Sequence, residues 1–242
     1  MKRYSRIKRL ASVLLVAAIW VCLFAGSCCA SAEEQQLLDA ALPWLERNPD
    51  TIGWLKVGKI IDTPVVQRDN AFYLEHNYSG EKSSGGMVFL DEECSILPQD
   101  EHLVLYGHNM RNGTVFGELD RYRDLAYLKA NSIITFDTIY QEGKYVVIAV
   151  YDMSAETEDP HFMQMLNFNF LDNEYFMTFV HQAQGRSFYK IPVDVRHGDH
   201  LLSLITCSYT LYDGRLILMC RKLREDEDPE EIAEAMQATE FK

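Results

Sequence analysis

Between Leu201 and Leu223 the chain reads LLSLITCSYTLYDGRLILMCRKL, so that Cys207 closes one apolar run and Arg215 opens the next across what reads as a hairpin. A cysteine that only fills a core needs no cation beside it. A thiol becomes a strong nucleophile when its thiolate is stabilised or when a base takes its proton. Of the seven histidines, His108 stands where such a base is wanted. It lies in LVLYGHNMRNGTVFGEL, where an apolar strand ends at Tyr106 and Gly107 leaves room for close backbone approach, which places the imidazole in a polar loop facing a cleft. Taken singly, each residue has a plainer explanation: a turn histidine, a small buried hydrophobe, a strand-edge charge. Together they point to cysteine-based nucleophilic catalysis.

The other polar candidates carry less. Cys220 follows Arg215 in LILMC and Cys94 lies in DEEC, and both read as packing residues. With Cys207 they make an odd number beyond the amino-terminal segment, which implies at least one free thiol or a bridge to another molecule. His197 and His200 in RHGDH could ligate a metal, but no further ligand cluster accompanies them. No metal and no other cofactor is expected.

These groups must be held by a scaffold of mostly β character. Short runs separated by turn residues, IGWLKV, TPVVQ, AFYLEHNY, GGMVFLD and LVLYGH, read as strands, as do SIITFDTIY and KYVVIAVYDM. Helical spacing is confined to a few places: Leu37, Leu38, Ala41, Leu42 and Leu45 near the start; TVFGELDRYRDLAYLK in the middle; and the aromatic segment after Asp172. A last helix is announced by Asp228 as N-cap, Pro229 at the first helical position and Glu231 placed for a capping box. Many short strands around one core, with helices in the connections, predict a mainly β fold closed into a barrel.

The chain has 242 residues, 48% of them hydrophobic, enough for one sizeable core. Five of its 23 basic residues fall within MKRYSRIKR, and Leu10 to Ala32 carries no charge. That length spans a ~30 Å hydrocarbon core as a helix, and the basic flank sets its orientation, so the expectation is a single-pass membrane protein with its amino terminus cytoplasmic and its catalytic part extracellular. Ala30–Ala32 followed by Glu33 also resembles a signal-peptidase site, which leaves cleavage open. All 36 acidic residues lie beyond the basic flank, which argues against a nucleic-acid partner. The predicted organisation is a flank and anchor over residues 1–32, a helical segment over 33–50, a catalytic barrel over 51–224 and an acidic helix or tail over 225–242.

The sequence resembles the sortases, cysteine transpeptidases of Gram-positive cell surfaces, and within them class B, from about Trp54 to Leu223. YGHNM with FGEL is similar to the family's histidine motif, LITCSY to its cysteine motif and DGRLIL to its arginine motif, in the family's order. TPVVQRDNAFYLEHNYSG and GGMVFLD resemble the class B stretches that precede them. The resemblance implies a closed sortase-type β-barrel with an amino-terminal helical pair and a helix in the long connection before the cysteine strand.

It implies, too, that Cys207 attacks a peptide carbonyl of a sorting signal, that Arg215 sits where the oxyanion develops, and that His108 protonates the leaving amine. His108 would then deprotonate the incoming amine, from a peptidoglycan cross-bridge or a pilin lysine. Arginine suits the oxyanion task because its charge persists and its planar fork can bind and orient together. Asn109, Thr206 and Tyr209 flank the three and are candidates for orienting peptide, although turn roles would explain them equally. Two alternatives come from other classes. An L,D-transpeptidase uses the same residue types, but in a compact SHGC-type motif where this chain has ITCS. A non-catalytic barrel that binds a surface partner would need none of the three groups.

Overall fold

The computed structural model describes residues 36–242. Eight strands close into a barrel: β1 (Thr51–Val57), β2 (Ile61–Val66), β3 (Val88–Leu90), β4 (His102–Tyr106), β5 (Ile133–Thr138), β6 (Lys144–Ser154), β8 (Leu201–Ser208) and β9 (Gly214–Lys222). Around the barrel they run β1-β2-β3-β4-β8-β9-β6-β5, and β5 returns to β1. Most neighbours are antiparallel, but β2 with β3 and β4 with β8 are parallel. A separate two-stranded ladder joins β7 (Tyr189–Lys190) to β10 (Glu240–Phe241), bringing the carboxy-terminal segment back onto the body.

Strands β8 and β9 do not alternate between apolar and polar residues, because both of their faces are covered. In β8 every residue is buried except Cys207, and in β9 only Arg215 and Lys222 are not. The core interior includes Leu55, Phe136, Tyr145, Val150, Leu204 and Leu218, all at 1% exposure or less.

Helices occupy the connections, as the sequence predicts, with two differences. The apolar spacing near the start gives a 3-10 turn, Asp39–Ala41, and then a short helix, Leu42–Arg47, because Pro43 lacks an N–H and is accommodated only in a first turn. The middle segment divides into a 3-10 turn, Leu119–Arg123, and a helix, Leu125–Ala130. Asp124 breaks the run by accepting hydrogen bonds from the Ala126 and Tyr127 amides as an N-cap. Asp172 caps the Asn173–Arg186 helix in the same way through the Tyr175 amide, and Asp228 caps Pro229–Ala235 through the Glu230 amide.

One expected strand is not a strand. In AFYLEHNY the Asp69 carboxylate accepts from the Ala71 and Phe72 amides at 3.1 and 2.8 Å, which curls the chain into a 3-10 turn over Phe72–Leu74. The localisation expected from the sequence is corrected: among the described residues no helix is long and apolar enough to cross a membrane, and the apolar run behind that expectation lies outside them.

Candidate active site

Cys207 and Arg215 are direct partners in the antiparallel register of β8 and β9, so their side chains leave the same face of the barrel wall. His108 arrives from the neighbouring strand. β4 runs parallel to β8 with Tyr106 opposite Ile205, and the Gly107 amide extends that ladder to the Ile205 carbonyl at 3.2 Å. The next residue, His108, therefore emerges beside the end of β8. A Cβ on Gly107 would lie 2.8–2.9 Å from side-chain atoms of Phe116 and Val115, so glycine is what allows the loop to fold back so closely. Val115 has φ +56°, an uncommon conformation for a β-branched residue, and its loop is tied back through the Phe116 amide to the His108 carbonyl at 3.0 Å.

The three side chains line one cleft of about 290 Å³, together with Asn70, Leu74, Phe89, Tyr106 and Ile205. His108 Nε2 lies 2.9 Å from the Leu74 carbonyl, which can only accept, so Nε2 donates and the other ring nitrogen, Nδ1, is left for the cleft. Arg215 is anchored through a single nitrogen: Nη1 donates to the Asp213 carboxylate at 2.7 Å and to the Asp213 and Gly214 carbonyls at 3.0 Å each. Asp213 adopts φ +43°, which aspartate tolerates, and this turns its carboxylate back onto the arginine. The remaining guanidinium donors keep their capacity for a ligand.

The three thiols differ sharply. Cys94 and Cys220 are buried, and desolvation pushes the Cys94 thiol up to about 12 and the Cys220 thiol higher still. Cys207 is only half-buried, and among the described residues all three are free. Of the three described thiols, Cys207 is thus the one that solvent and a ligand can reach.

The residues expected to orient peptide are not gathered in this cleft as a set. Thr206 lines it but is 2% exposed, and its hydroxyl donates to the Gly107 carbonyl at 2.8 Å, fastening β8 to the histidine loop. Asn109 divides its amide between the Cys207 carbonyl at 2.8 Å and Asp120 at 3.1 Å, which makes it a brace. Tyr209 is 78% exposed and lines a different cavity, of about 390 Å³, together with Asn109, Met110 and Asp120.

Sequence reading missed Asn70, Leu74 and Tyr106 as lining residues, and it missed the polar groups behind Cys207. Asp152 is the one residue of β6 after Lys144 that is not buried, and it receives both terminal nitrogens of Arg123. A lone carboxylate in KYVVIAVYDM was the available signal.

A family model described as the sortase domain matches residues 55–223. Sortase B of Listeria monocytogenes is 30% identical over 162 residues, which cover 66% of this chain and 63% of that protein's own length. Among solved structures, Clostridium perfringens sortase B superposes with a TM-score of 0.69 at 31% identity, covering 75% of this chain and 98% of that one. Sortase B from B. anthracis in complex with AAEK1 also gives 0.69, at 27% identity, covering 80% of this chain and 88% of that one.

Proposed function

The chain belongs to the sortase family, and we propose that it is a class B cysteine transpeptidase that cleaves a sorting-signal peptide and joins the acyl part to an amine. The observation that carries this is the register pairing of Cys207 with Arg215 in a cleft shared with His108. Cys207 Sγ gives its proton to His108 and attacks the scissile carbonyl, the C–N bond breaks, and a thioester forms while His108 passes that proton to the departing amine. The incoming amine then attacks the thioester, His108 takes its proton and hands it to the departing sulfur, and the thiol is regenerated as the C–S bond breaks and a new amide remains.

Arg215 supports the charge that develops on the carbonyl oxygen in both steps. A guanidinium held by one nitrogen keeps its other donors for the oxyanion and needs little reorganisation. The amine is of the kind carried by a peptidoglycan cross-bridge or a pilin lysine, and the catalytic unit is the barrel segment 51–224. No cofactor enters either step.

The direct test incubates residues 33–242 with a library of sorting-signal peptides and seeks an acyl adduct on Cys207 by mass spectrometry. An adduct that an added amine discharges to a transpeptidation product is the expected result. No adduct on Cys207 with any peptide, or turnover that survives Cys207→Ala, would overturn the assignment.

A further inference from the structure

Behind the thiol, away from the cleft, a connected set of polar side chains joins three separate parts of the fold. Asp152 on β6 accepts Arg123 Nη2 on Oδ1 at 2.7 Å and Arg123 Nη1 on Oδ2 at 2.8 Å. It also accepts the Thr210 hydroxyl at 2.8 Å. Arg123 Nη2 reaches the Ser208 hydroxyl at 3.1 Å, and that hydroxyl lies 2.8 Å from Thr210 Oγ1. The third guanidinium nitrogen, Nε, donates to Asp120 at 3.0 Å, and Asp120 in turn holds the Asn109 amide that donates to the Cys207 carbonyl.

The two arms of this network end on either side of the reacting groups. One fixes Ser208 and Thr210, the residues that follow Cys207. The other fixes Asn109, the neighbour of His108, and through it the carbonyl of Cys207 itself. An ion pair retained only for stability has no reason to end on these atoms. The electrostatics agree with the geometry. Burial works to raise the Asp152 carboxyl, but hydrogen bonds from Arg123, Thr210 and Ser208 outweigh it and hold it below its ordinary value. The hydrogen bonds that Arg123 donates to Asp152 likewise raise the arginine, so both stay charged. The pair is partly shielded, with side-chain exposures of 28% for Arg123 and 13% for Asp152, and the guanidinium also lies 5.3 Å from the centre of the Phe188 ring.

We propose that Arg123 and Asp152 are positioning residues that set Cys207 against His108, one arm holding the end of the cysteine strand and the other holding the histidine loop. This rests on the assignment of Cys207 and His108 as the reacting pair. Arginine is required because the task uses all three of its nitrogens in one plane, which lysine cannot reproduce. Misplacing a catalytic group by about 1 Å costs on the order of 100-fold in rate.

The test compares kcat and KM for a cleavable sorting peptide in wild type, Arg123→Lys, Asp152→Asn, Asp152→Glu and Thr210→Val, with circular dichroism and melting temperature on each. Arg123→Lys and Asp152→Asn are expected to lose about 100-fold in kcat with KM held within about threefold, since the cleft itself is lined by other residues. Asp152→Glu, which keeps the carboxylate, is expected to recover part of that loss. A kcat within about fivefold of wild type in folded Arg123→Lys or Asp152→Asn, whatever the melting temperature does, overturns the proposal. Should neither fold, Thr210→Val decides, because it removes the hydroxyl's two hydrogen bonds, with Asp152 and Ser208, and leaves the ion pair: a kcat loss above about fivefold supports the proposal and a smaller one overturns it. A wild-type chain that forms no Cys207 thioester defeats the functional assignment instead, and this proposal with it.

Discussion

Cys207 and Arg215 face each other at the one place where the paired strands β8 and β9 open their shared surface, for every other residue of the two except Lys222 is buried. The pairing places thiol and guanidinium on one face through backbone hydrogen bonds alone, before any side-chain contact is made.

If Arg215 supports the oxyanion, Arg215→Lys keeps the charge and loses the planar fork. The expected loss is ~2.7 to 4 kcal/mol of transition-state stabilisation, or ~100- to 1,000-fold in kcat, and Arg215→Ala should lose at least as much. A surface charge would change stability by less than ~0.5 kcal/mol and leave the rate alone. Steady-state kinetics on a cleavable sorting peptide, with circular dichroism on each variant, separates the two. Rates within threefold of wild type for both variants remove Arg215 from the mechanism.

The thiols give a second expectation. Iodoacetamide should label Cys207 in the native protein and spare Cys94 and Cys220, which are buried with raised thiol values. Cys94→Ala and Cys220→Ala should each cost about 1 kcal/mol of stability and leave turnover within about twofold. Peptide mapping of the alkylated native protein is the check. Equal labelling of Cys220 would contradict it.

Gly107→Ala tests the approach of the histidine loop. The added methyl meets Phe116 and Val115 at 2.8–2.9 Å, and Val115 is already strained, so neither neighbour yields easily. Overpacking of this kind costs about 1–3 kcal/mol, and here it also pushes His108 away from the end of β8. A lower melting temperature accompanied by a kcat loss of about tenfold or more is expected. A variant with the wild-type rate would show that the loop has slack.

His102 predicts an acid dependence of stability. Burial lowers it to about 4, and its ring is held between the Asn167 carbonyl and the Ser203 hydroxyl, each at 2.9 Å. Unfolded, it takes a proton near 6.5 and the native state does not, so its contribution is complete above that value and is lost as pH falls toward 4. The loss amounts to about 3 kcal/mol. Melting temperature measured across this range should fall in wild type and fall less steeply in His102→Gln. Parallel slopes would assign the acid sensitivity to other groups.

What was legible in the sequence follows a physical division. Strands, caps and the glycine beside His108 are local properties, written in spacing and residue type, and Cys207 with Arg215 needed only a hairpin to be paired. The braces were not legible, because Asn109, Asp120, Arg123, Asp152 and Thr210 come from four separated stretches and meet only through closure of the barrel. Nor could spacing reveal that AFYLEHNY would be curled by the Asp69 side chain. Adjacency to Cys207 in the sequence suggests peptide contacts for Thr206 and Tyr209. Alternation along the strand turns Thr206 inward to Gly107, and the hairpin end carries Tyr209 to another cavity.

The parallel pairing of β4 with β8 has a temporal consequence. His102 lies opposite Leu201, so the ladder that carries His108 to Cys207 joins segments almost a hundred positions apart. Contacts of such long range form late, after the entropy of closing the intervening loop has been met. A chain still emerging from the ribosome holds the imidazole long before it holds the thiol or the guanidinium. If these are the reacting groups, they cannot act together on a peptide until the last strands have docked.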